Sequence, residues 1–139
     1  MAGSCVFCSI ADGDIAAHVV LDDELAIAFL DHRPVFKGHV LLAPKKHYET
    51  LPDLPRELIE PYFLRAQLLS IAVKEAVGGD GSFVAINNTV SQSVPHLHIH
   101  VVPRKRKDGL RGFFWPRSKY ASENEMGDYA SKIRAVLAG

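Results

Sequence analysis

The chain has 139 residues, of which 47% are apolar and 23% are charged, and its sixteen acidic side chains balance sixteen basic ones. A chain of this length can bury a real core, and we expect residues 1–139 to form a single domain. The balanced charge and high apolar content argue against intrinsic disorder and against broad electrostatic attraction to nucleic acid. A small molecule is therefore the more plausible partner.

The sequence also carries no sign of targeting or membrane insertion. Residues 1–5 lack the apolar run of a signal peptide, and no apolar stretch approaches the ~20 residues that span a bilayer. We therefore expect a cytoplasmic protein without a membrane partner. In a reducing compartment the Cys-x-x-Cys spacing of Cys5 and Cys8 favours a metal site or a redox motif over a structural disulfide.

Five short runs rich in apolar and β-branched residues, separated by turn residues, predict β-strands. They cover residues 18–22, 25–31, 38–44, 82–88 and 96–102. Alternate residues of a strand share a face, so the last run is expected to place three histidines on one open surface. These histidines are His96, His98 and His100, while Leu97, Ile99 and Val101 are expected to face the core.

Two stretches with helical spacing predict helices. The first covers residues 61–77, although Asp53 and Pro55 offer an earlier start. Its apolar positions at helical spacing are Leu64, Leu68, Ile71 and Ala72. The second covers residues 122–137, begins with the capping-box pair Ser122 and Glu125, and is expected to bury Met126, Tyr129, Ile133 and Val136. Segregated strands and helices predict an α+β domain with a mostly antiparallel five-stranded sheet and two helices.

The side chains suited to catalysis or ligand binding are concentrated in residues 87–100. Three histidines in alternation are a costly choice for solubility alone, and they suit either nucleophilic catalysis or transition-metal binding. Just upstream, Asn87, Asn88, Gln92 and Ser93 offer neutral hydrogen-bond donors, without the carboxylates that usually complete a catalytic metal set. Such donors suit the oxygens of a phosphate.

The run QSVPHLHIHVV at residues 92–102 resembles the signature of the histidine-triad (HIT) superfamily. Three further segments follow the order and approximate spacing of that family: CVFCSI at residues 5–10, AFLD at 28–31 and GHVLLAPKKH at 38–47. The resemblance covers a core at residues 5–103 and leaves 104–139 as a less diagnostic tail. It implies a HIT-like fold, usually found as a homodimer, and a nucleotide hydrolase or transferase.

The resemblance also implies a covalent mechanism. His98, the middle histidine, would attack the α-phosphorus of a nucleotide derivative, and water would then release the nucleotidyl-histidine. The remaining polar residues would stabilise charge on the phosphoryl oxygens or, in the case of His39, support the surroundings of the nucleophile. The residues for the phosphoryl oxygens are Asn87, Gln92, Ser93 and His100.

The family pattern assigns the nucleoside as well. Asp31 would accept the ribose hydroxyls, and Phe7, Ile10 and Phe29 would form an apolar slot for the base, a composition that equally suits an ordinary core. The loop at residues 87–92 is about two residues shorter than the family pattern, and Ser91 stands where glycine is usual.

Many members of the family with this cysteine pair complete a zinc site with two histidines, which here are His47 and His96. A closed four-ligand site would be structural, because it leaves no open position for substrate. The competing interpretation is a thioredoxin-like redox motif, although Cys5 and Cys8 do not sit between a strand and a helix of a βαβ unit.

Several functions remain open on the sequence. The leading candidate is cleavage of nucleoside phosphoramidates or related adenylyl compounds. The alternative is hydrolysis of dinucleoside polyphosphates. The third candidate is a non-catalytic nucleotide-binding regulator. The fourth is a metalloenzyme that uses the triad as metal ligands. The basic run at residues 104–107 with Arg111 is interpreted as a solvated loop. The aromatic run around Trp115 is a candidate dimer contact.

Overall fold

A five-stranded antiparallel sheet organises the computed structural model, which describes residues 4–110 and 117–139 of the chain. Its strands are β1 (Val19–Asp22), β2 (Ala26–Leu30), β3 (Val40–Pro44), β4 (Gly81–Ala85) and β5 (Ile99–Arg104). The strand order is β1-β2-β3-β5-β4, and every neighbouring pair is antiparallel. The predicted α+β class and the five strands are confirmed, with β4 ending earlier and β5 beginning later than predicted.

Within the described residues there are three α-helices instead of the predicted two: α1 (Val6–Ala11), α2 (Arg56–Ala76) and α3 (Glu123–Ala138). The sequence missed α1 because six residues are too few to display a helical period. Cys5 caps α1, because its Sγ accepts a hydrogen bond of 3.5 Å from the backbone N–H of Cys8. No helix in the described parts of the chain is both long and apolar enough to cross a membrane.

The long helix α2 begins at Arg56, directly after Pro55, so the earlier of the two predicted starts is correct and Pro61 lies inside the helix. The predicted apolar face of α2 is not the buried one. Leu64, Leu68 and Ile71 are exposed, and the sheet is covered by a second stripe. That stripe consists of Tyr62, Ala66, Leu69 and Val73.

The buried stripe is fixed by a specific contact as well as by apolar area. The hydroxyl of Tyr62, which is fully buried, donates a hydrogen bond of 2.8 Å to the carbonyl of Leu42 in β3. A polar group at the end of a buried aromatic ring needs such a partner, and the Leu42 carbonyl supplies it. The sequence pattern predicted the other stripe, because helical spacing alone does not show which face finds a buried partner.

Both faces of the sheet are covered, which explains the nearly uninterrupted apolar sequences of β2 and β3. On the α2 side the core consists of Ala26, Ala28, Val40, Leu42, Leu54, Tyr62, Ala66, Leu69, Val73, Leu97, Ile99 and Val101. On the α1 side it consists of Cys5, Phe7, Cys8, Ile10, Ile27, Phe29, Leu41 and Ala43. The strand residues thus alternate between the two clusters.

The described residues after Asp108 belong to a second compact unit. Ser122 caps α3 and accepts from the backbone N–H of Glu125, while the Glu125 carboxylate accepts from the N–H of Ala121. The predicted helix is thus confirmed, but its predicted buried stripe is wrong, because Met126, Tyr129, Ile133 and Val136 are all exposed. A periodic stripe shows that a helix could bury a face and leaves open whether a surface covers it. Arg111 and Trp115 lie outside the described residues.

Candidate active site and metal centre

The histidine triad lies at the entrance to β5 and not along it. His96 and His98 precede the first strand residue, Ile99, and only His100 belongs to the ladder. The prediction that these histidines lie on an open surface is also wrong, because the exposed fraction is 0% for His96 and 3% for His98. The sequence could not reveal this, since α1 covers this face of the sheet and α1 was not predicted.

The nucleophile candidate His98 is held by the backbone of its own segment. Its Nδ1–H donates to the carbonyl of His96 at 2.7 Å. The proton is thus fixed on Nδ1, and Nε2 keeps its lone pair. Burial lowers the pKa of His98, against smaller opposing effects of the His96 carbonyl and Asp31, so the ring is neutral at physiological pH.

His39 and His100 form a second pair whose proton positions also follow from a backbone group. The N–H of Val35 donates to Nδ1 of His39 at 3.1 Å, so a neutral His39 carries its proton on Nε2. That Nε2–H points at Nδ1 of His100, 3.0 Å away. His100 must then carry its own proton on Nε2, where it can donate to a substrate.

The pKa of His100 is lowered to about 4, mainly by burial and also by the neighbouring His98 and His39, while Asp31 opposes the shift. The pKa of His39 is lowered as well, first by burial, with Asp31 again raising it. Asp31 accepts from the backbone N–H of Arg33 at 2.9 Å and lies 3.8 Å from Nε2 of His39. Its carboxylate is half-buried, close to the pair without joining it.

The ligand atoms of Asp31, His39 and His100 lie within 4.8 Å of one another, as they could in a metal site. The contact from Val35 argues against that use. An imidazole that accepts a backbone N–H at Nδ1 carries its proton on Nε2 and has no lone pair there for a cation. We therefore interpret the group as a hydrogen-bond relay.

The side-chain amides of Asn88 and Gln92 hold the loop before the triad in place. Both belong to the neutral donors predicted from the sequence to suit a phosphate. Asn88 accepts from the N–H of Leu51 at 2.8 Å. Gln92 accepts from the N–H of Thr89 at 2.8 Å and donates to the carbonyl of Glu49 at 2.6 Å. These contacts fasten the loop to residues 49–51.

The same loop contains two left-handed residues, Thr89 with φ 69° and Ser91 with φ 62°. This conformation favours glycine, so the glycine that the family pattern led us to expect at position 91 would adopt it with less strain than Ser91 does. Asn87 and Ser93 are exposed at the two ends of the loop. Both side chains are therefore accessible to a ligand.

The three apolar residues predicted to hold a base pack beside the nucleophile. Phe7 meets the rings of Phe29 and His98 edge-on, at centroid distances of 5.3 and 4.9 Å. Ile10 belongs to the same buried cluster. This packing gives His98 an apolar neighbourhood, which is the source of its lowered pKa.

Four potential metal ligands converge at the amino end of the triad: Cys5, Cys8, His47 and His96. Nδ1 of His96 lies 3.4 Å from Sγ of Cys5 and 3.5 Å from Sγ of Cys8, and Nδ1 of His47 lies 3.1 Å from Nδ1 of His96. A tetrahedral zinc with Zn–S of about 2.3 Å and Zn–N of about 2.0 Å separates its ligand atoms by about 3.3–3.8 Å. The donor set thus fits zinc in both chemistry and spacing.

The tautomer of His96 supports this interpretation. Its Nε2–H donates to the carbonyl of Pro44 at 2.7 Å, which leaves the Nδ1 lone pair facing the cysteines. The pKa of the Cys8 thiol is raised to about 11, first by burial and then by the neighbouring Cys5. A thioredoxin-like motif needs a lowered thiol pKa, so the redox interpretation loses support.

The sequence did not reveal the groups that orient these rings. They are the backbone N–H of Val35 and the backbone carbonyls of Pro44 and His96. Every residue except proline carries both groups, so no residue type marks them. The pairing of His39 with His100 was missed for the same reason.

The HIT domain matches residues 12–107 of the chain. The chain belongs to the histidine-triad (HIT) family. An uncharacterised HIT-like protein of Methanocaldococcus jannaschii is 40% identical over 107 residues, covering 76% of this chain and 82% of its own length. An adenosine 5'-monophosphoramidase of Schizosaccharomyces pombe is 34% identical over 138 residues, covering 94% of this chain and 99% of its own length.

A third relative, an adenylylsulfatase of Arabidopsis thaliana, is 35% identical over 108 residues, which are 76% of this chain and 55% of that protein. Among solved structures, a HIT family member from Bacillus subtilis has a TM-score of 0.85 at 33% identity and covers 95% of this chain and 96% of that one. A zinc-bound histidine-triad protein from Mycobacterium smegmatis has a TM-score of 0.75 at 34% identity and covers both chains fully. The HIT fold predicted from the sequence is thereby confirmed.

The lowered histidine pKa values predict acid sensitivity. The unfolded chain has ordinary histidines with pKa near 6.5, so between about pH 6.5 and 4 it binds protons that folded His100 does not. The free energy of unfolding should therefore fall as the pH is lowered through this window. In urea unfolding at several pH values, the His100→Gln variant should show a shallower fall than the wild type.

The exposed His32 provides the control, because His32→Gln should leave the slope unchanged. Equal slopes for the wild type and His100→Gln would contradict the assignment of a neutral, buried His100.

Proposed function

We propose that this HIT protein is a nucleotide hydrolase or transferase that cleaves a bond at an α-phosphate through a covalent nucleotidyl-His98 intermediate. The observation that carries the proposal is the state of His98, a neutral ring whose proton is fixed on Nδ1 by the His96 carbonyl and whose Nε2 accepts no hydrogen bond from residues 4–110 or 117–139. Such a ring is a nucleophile that needs no separate base.

In the proposed first step, Nε2 of His98 forms a bond to the α-phosphorus while the bond to the leaving group breaks. His100 donates from Nε2–H to the phosphoryl group or the leaving atom, and His39 holds His100 in that tautomer. Water then attacks the phosphorus, releases a nucleoside monophosphate and restores neutral His98. Another acceptor in place of water would make the same step a transfer.

The remaining predicted residues are proposed to bind the substrate. Asn87 and Ser93 are accessible donors for the phosphate, and Gln92 contributes by holding the loop between them. Asp31 is proposed to accept the ribose hydroxyls. The base is proposed to lie against the apolar group of Phe7, Ile10 and Phe29.

We favour nucleoside phosphoramidates or related adenylyl compounds as substrates. Two relatives support this choice, one an adenosine 5'-monophosphoramidase and the other an adenylylsulfatase. Dinucleoside polyphosphate hydrolysis remains the alternative, and turnover across a panel of both substrate classes separates the two. A purely regulatory nucleotide-binding role is less favoured, because it would not require a fixed tautomer at three histidines.

Zinc is proposed as a structural cofactor held by Cys5, Cys8, His47 and His96. Four protein ligands fill a tetrahedral site, so zinc would contribute folding energy and no direct chemistry. The zinc-bound relative from Mycobacterium smegmatis supports the choice of metal. The cation would tether α1 to the segment that carries the nucleophile.

The protein is further proposed to act in the cytoplasm as a homodimer. The exposed apolar side chains of α2, Leu64, Leu68 and Ile71, lie on one side of that helix, and α2 packs over β5 and β4. Among the described residues β4 pairs only with β5, so its outer edge is unpaired. An apolar stripe beside a free strand edge is a self-complementary surface for a second copy.

Replacing His98 by Ala should lower turnover of an adenosine phosphoramidate by on the order of a thousandfold or more and leave AMP binding measurable, because only the covalent step loses its nucleophile. Steady-state kinetics and calorimetric titration with AMP test this. His18→Ala, at an exposed position, is the matched control. Substantial residual turnover would refute the mechanism.

Rapid quenching without acid, followed by peptide mass analysis, should place a nucleotidyl group on His98. An adduct found reproducibly on His96 or His100 would show that the nucleophile has been assigned to the wrong residue.

Joint replacement of Cys5 and Cys8 by Ser should remove one zinc per chain and lower the melting temperature by on the order of 10 °C, because the metal's binding energy contributes to folding. Metal analysis and melting with and without a chelator measure both effects. The Ser9→Ala variant, which changes a neighbouring α1 residue outside the ligand set, is the control. If the wild type binds no zinc and a chelator leaves its melting temperature unchanged, the structural site is ruled out.

Leu68→Glu should convert the dimer into a monomer, since it buries a charge in the proposed interface. Sedimentation or light scattering measures the change. Gln67→Glu adds the same charge about 100° around the helix and should leave the dimer intact. A wild-type monomer, or equal behaviour of both variants, would refute this interface.

A further inference from the structure

A cavity of about 350 Å³ lies outside the histidine cluster, where the end of α2, the end of β5 and the loop before β3 meet. Its volume is at the lower end of the range of small-ligand pockets. The apolar part of its lining consists of Phe36, Val77 and Pro103, and the polar part of Lys37, Lys105 and Asp108. None of these residues takes part in the proposed nucleotidyl transfer or in the proposed zinc site.

The charge around this cavity is positive. The carboxylate of Asp108 accepts from the Arg104 guanidinium at both oxygens and from the N–H of Lys105. The Arg104 charge therefore offsets that of Asp108. Within residues 4–110 and 117–139, the ammonium groups of Lys37 and Lys105 have no carboxylate within 4.0 Å, so two positive charges stand beside the apolar lining.

We propose that this cavity binds a small organic anion with an apolar body, such as an aryl-alkyl carboxylate. The apolar body would lie on Phe36, Val77 and Pro103, and the carboxylate would lie between Lys37 and Lys105. Apolar contact area with two lysines in the same lining is the arrangement that selects an amphipathic anion over a neutral molecule or a fully hydrated ion.

The cavity is connected to the relay through a close backbone contact. Gly38, with φ +99°, places its Cα so near the cavity lining that an added Cβ would lie 3.1 Å from Cγ1 of Val77 and 3.3 Å from Cγ of Pro103. The next residue is His39, whose N–H donates to the carbonyl of Phe36 at 3.0 Å. A ligand that displaces Phe36 or Val77 therefore acts on the segment that positions His39.

The test uses 4-phenylbutyrate as the probe and its neutral amide, 4-phenylbutanamide, as the matched ligand. Binding is measured by calorimetric titration, and the site is located by NMR through the methyl groups of Val77 and the ring signals of His39. The wild type should bind the acid with one site, should bind the amide at least about fivefold more weakly, and should show shifts at both residues. The paired charge reversal Lys37→Glu with Lys105→Glu should weaken binding of the acid about tenfold or more.

Lys119→Glu with Lys132→Glu makes the same change of charge at exposed positions elsewhere and should leave binding unchanged. All four lysines are at the surface, so the variants should fold. Equal affinity for acid and amide, indifference to the reversal at Lys37 and Lys105, or no shift at Val77 would each overturn the proposal. Repeating the titration in His98→Ala keeps the result independent of nucleotidyl transfer, because the probe has no phosphate and the site does not include His98.

Discussion

The candidate active site depends on one hydrogen bond, from Nδ1–H of His98 to the backbone carbonyl of His96. A carbonyl can fix the tautomer of an imidazole without adding a charge, so the ring stays neutral and its Nε2 keeps a lone pair. A carboxylate in the same place would favour the protonated ring. The backbone acceptor therefore leaves His98 in the state that its proposed role as nucleophile requires.

The same residue that offers this carbonyl belongs to the candidate metal centre. The side chain of His96 directs Nδ1 toward Cys5 and Cys8, while its Nε2–H is held by the carbonyl of Pro44. Movement of His96 would thus change both the metal ligands and the acceptor of the nucleophile. This shared residue explains physically how a closed metal site could matter to catalysis without touching substrate.

Burial gives the cluster its electrostatic character. Four neighbouring histidines, namely His39, His96, His98 and His100, have lowered pKa values, with burial as the largest cause in each case. Neutral imidazoles still need hydrogen-bond partners in an apolar site, and backbone groups supply most of them. Among the described residues, no side-chain nitrogen or oxygen that is itself shut off from solvent lacks a partner.

The sequence by itself determined the fold class, the five strands and the triad motif, because alternation and spacing are local patterns that one segment carries alone. Tertiary structure decided which stripe of α2 is buried, since the contact between Tyr62 and Leu42 joins residues far apart in the chain. It also decided the proton positions of the histidines. Those depend on backbone groups, such as the N–H of Val35, that have no residue type and acquire a direction only when distant segments pack together.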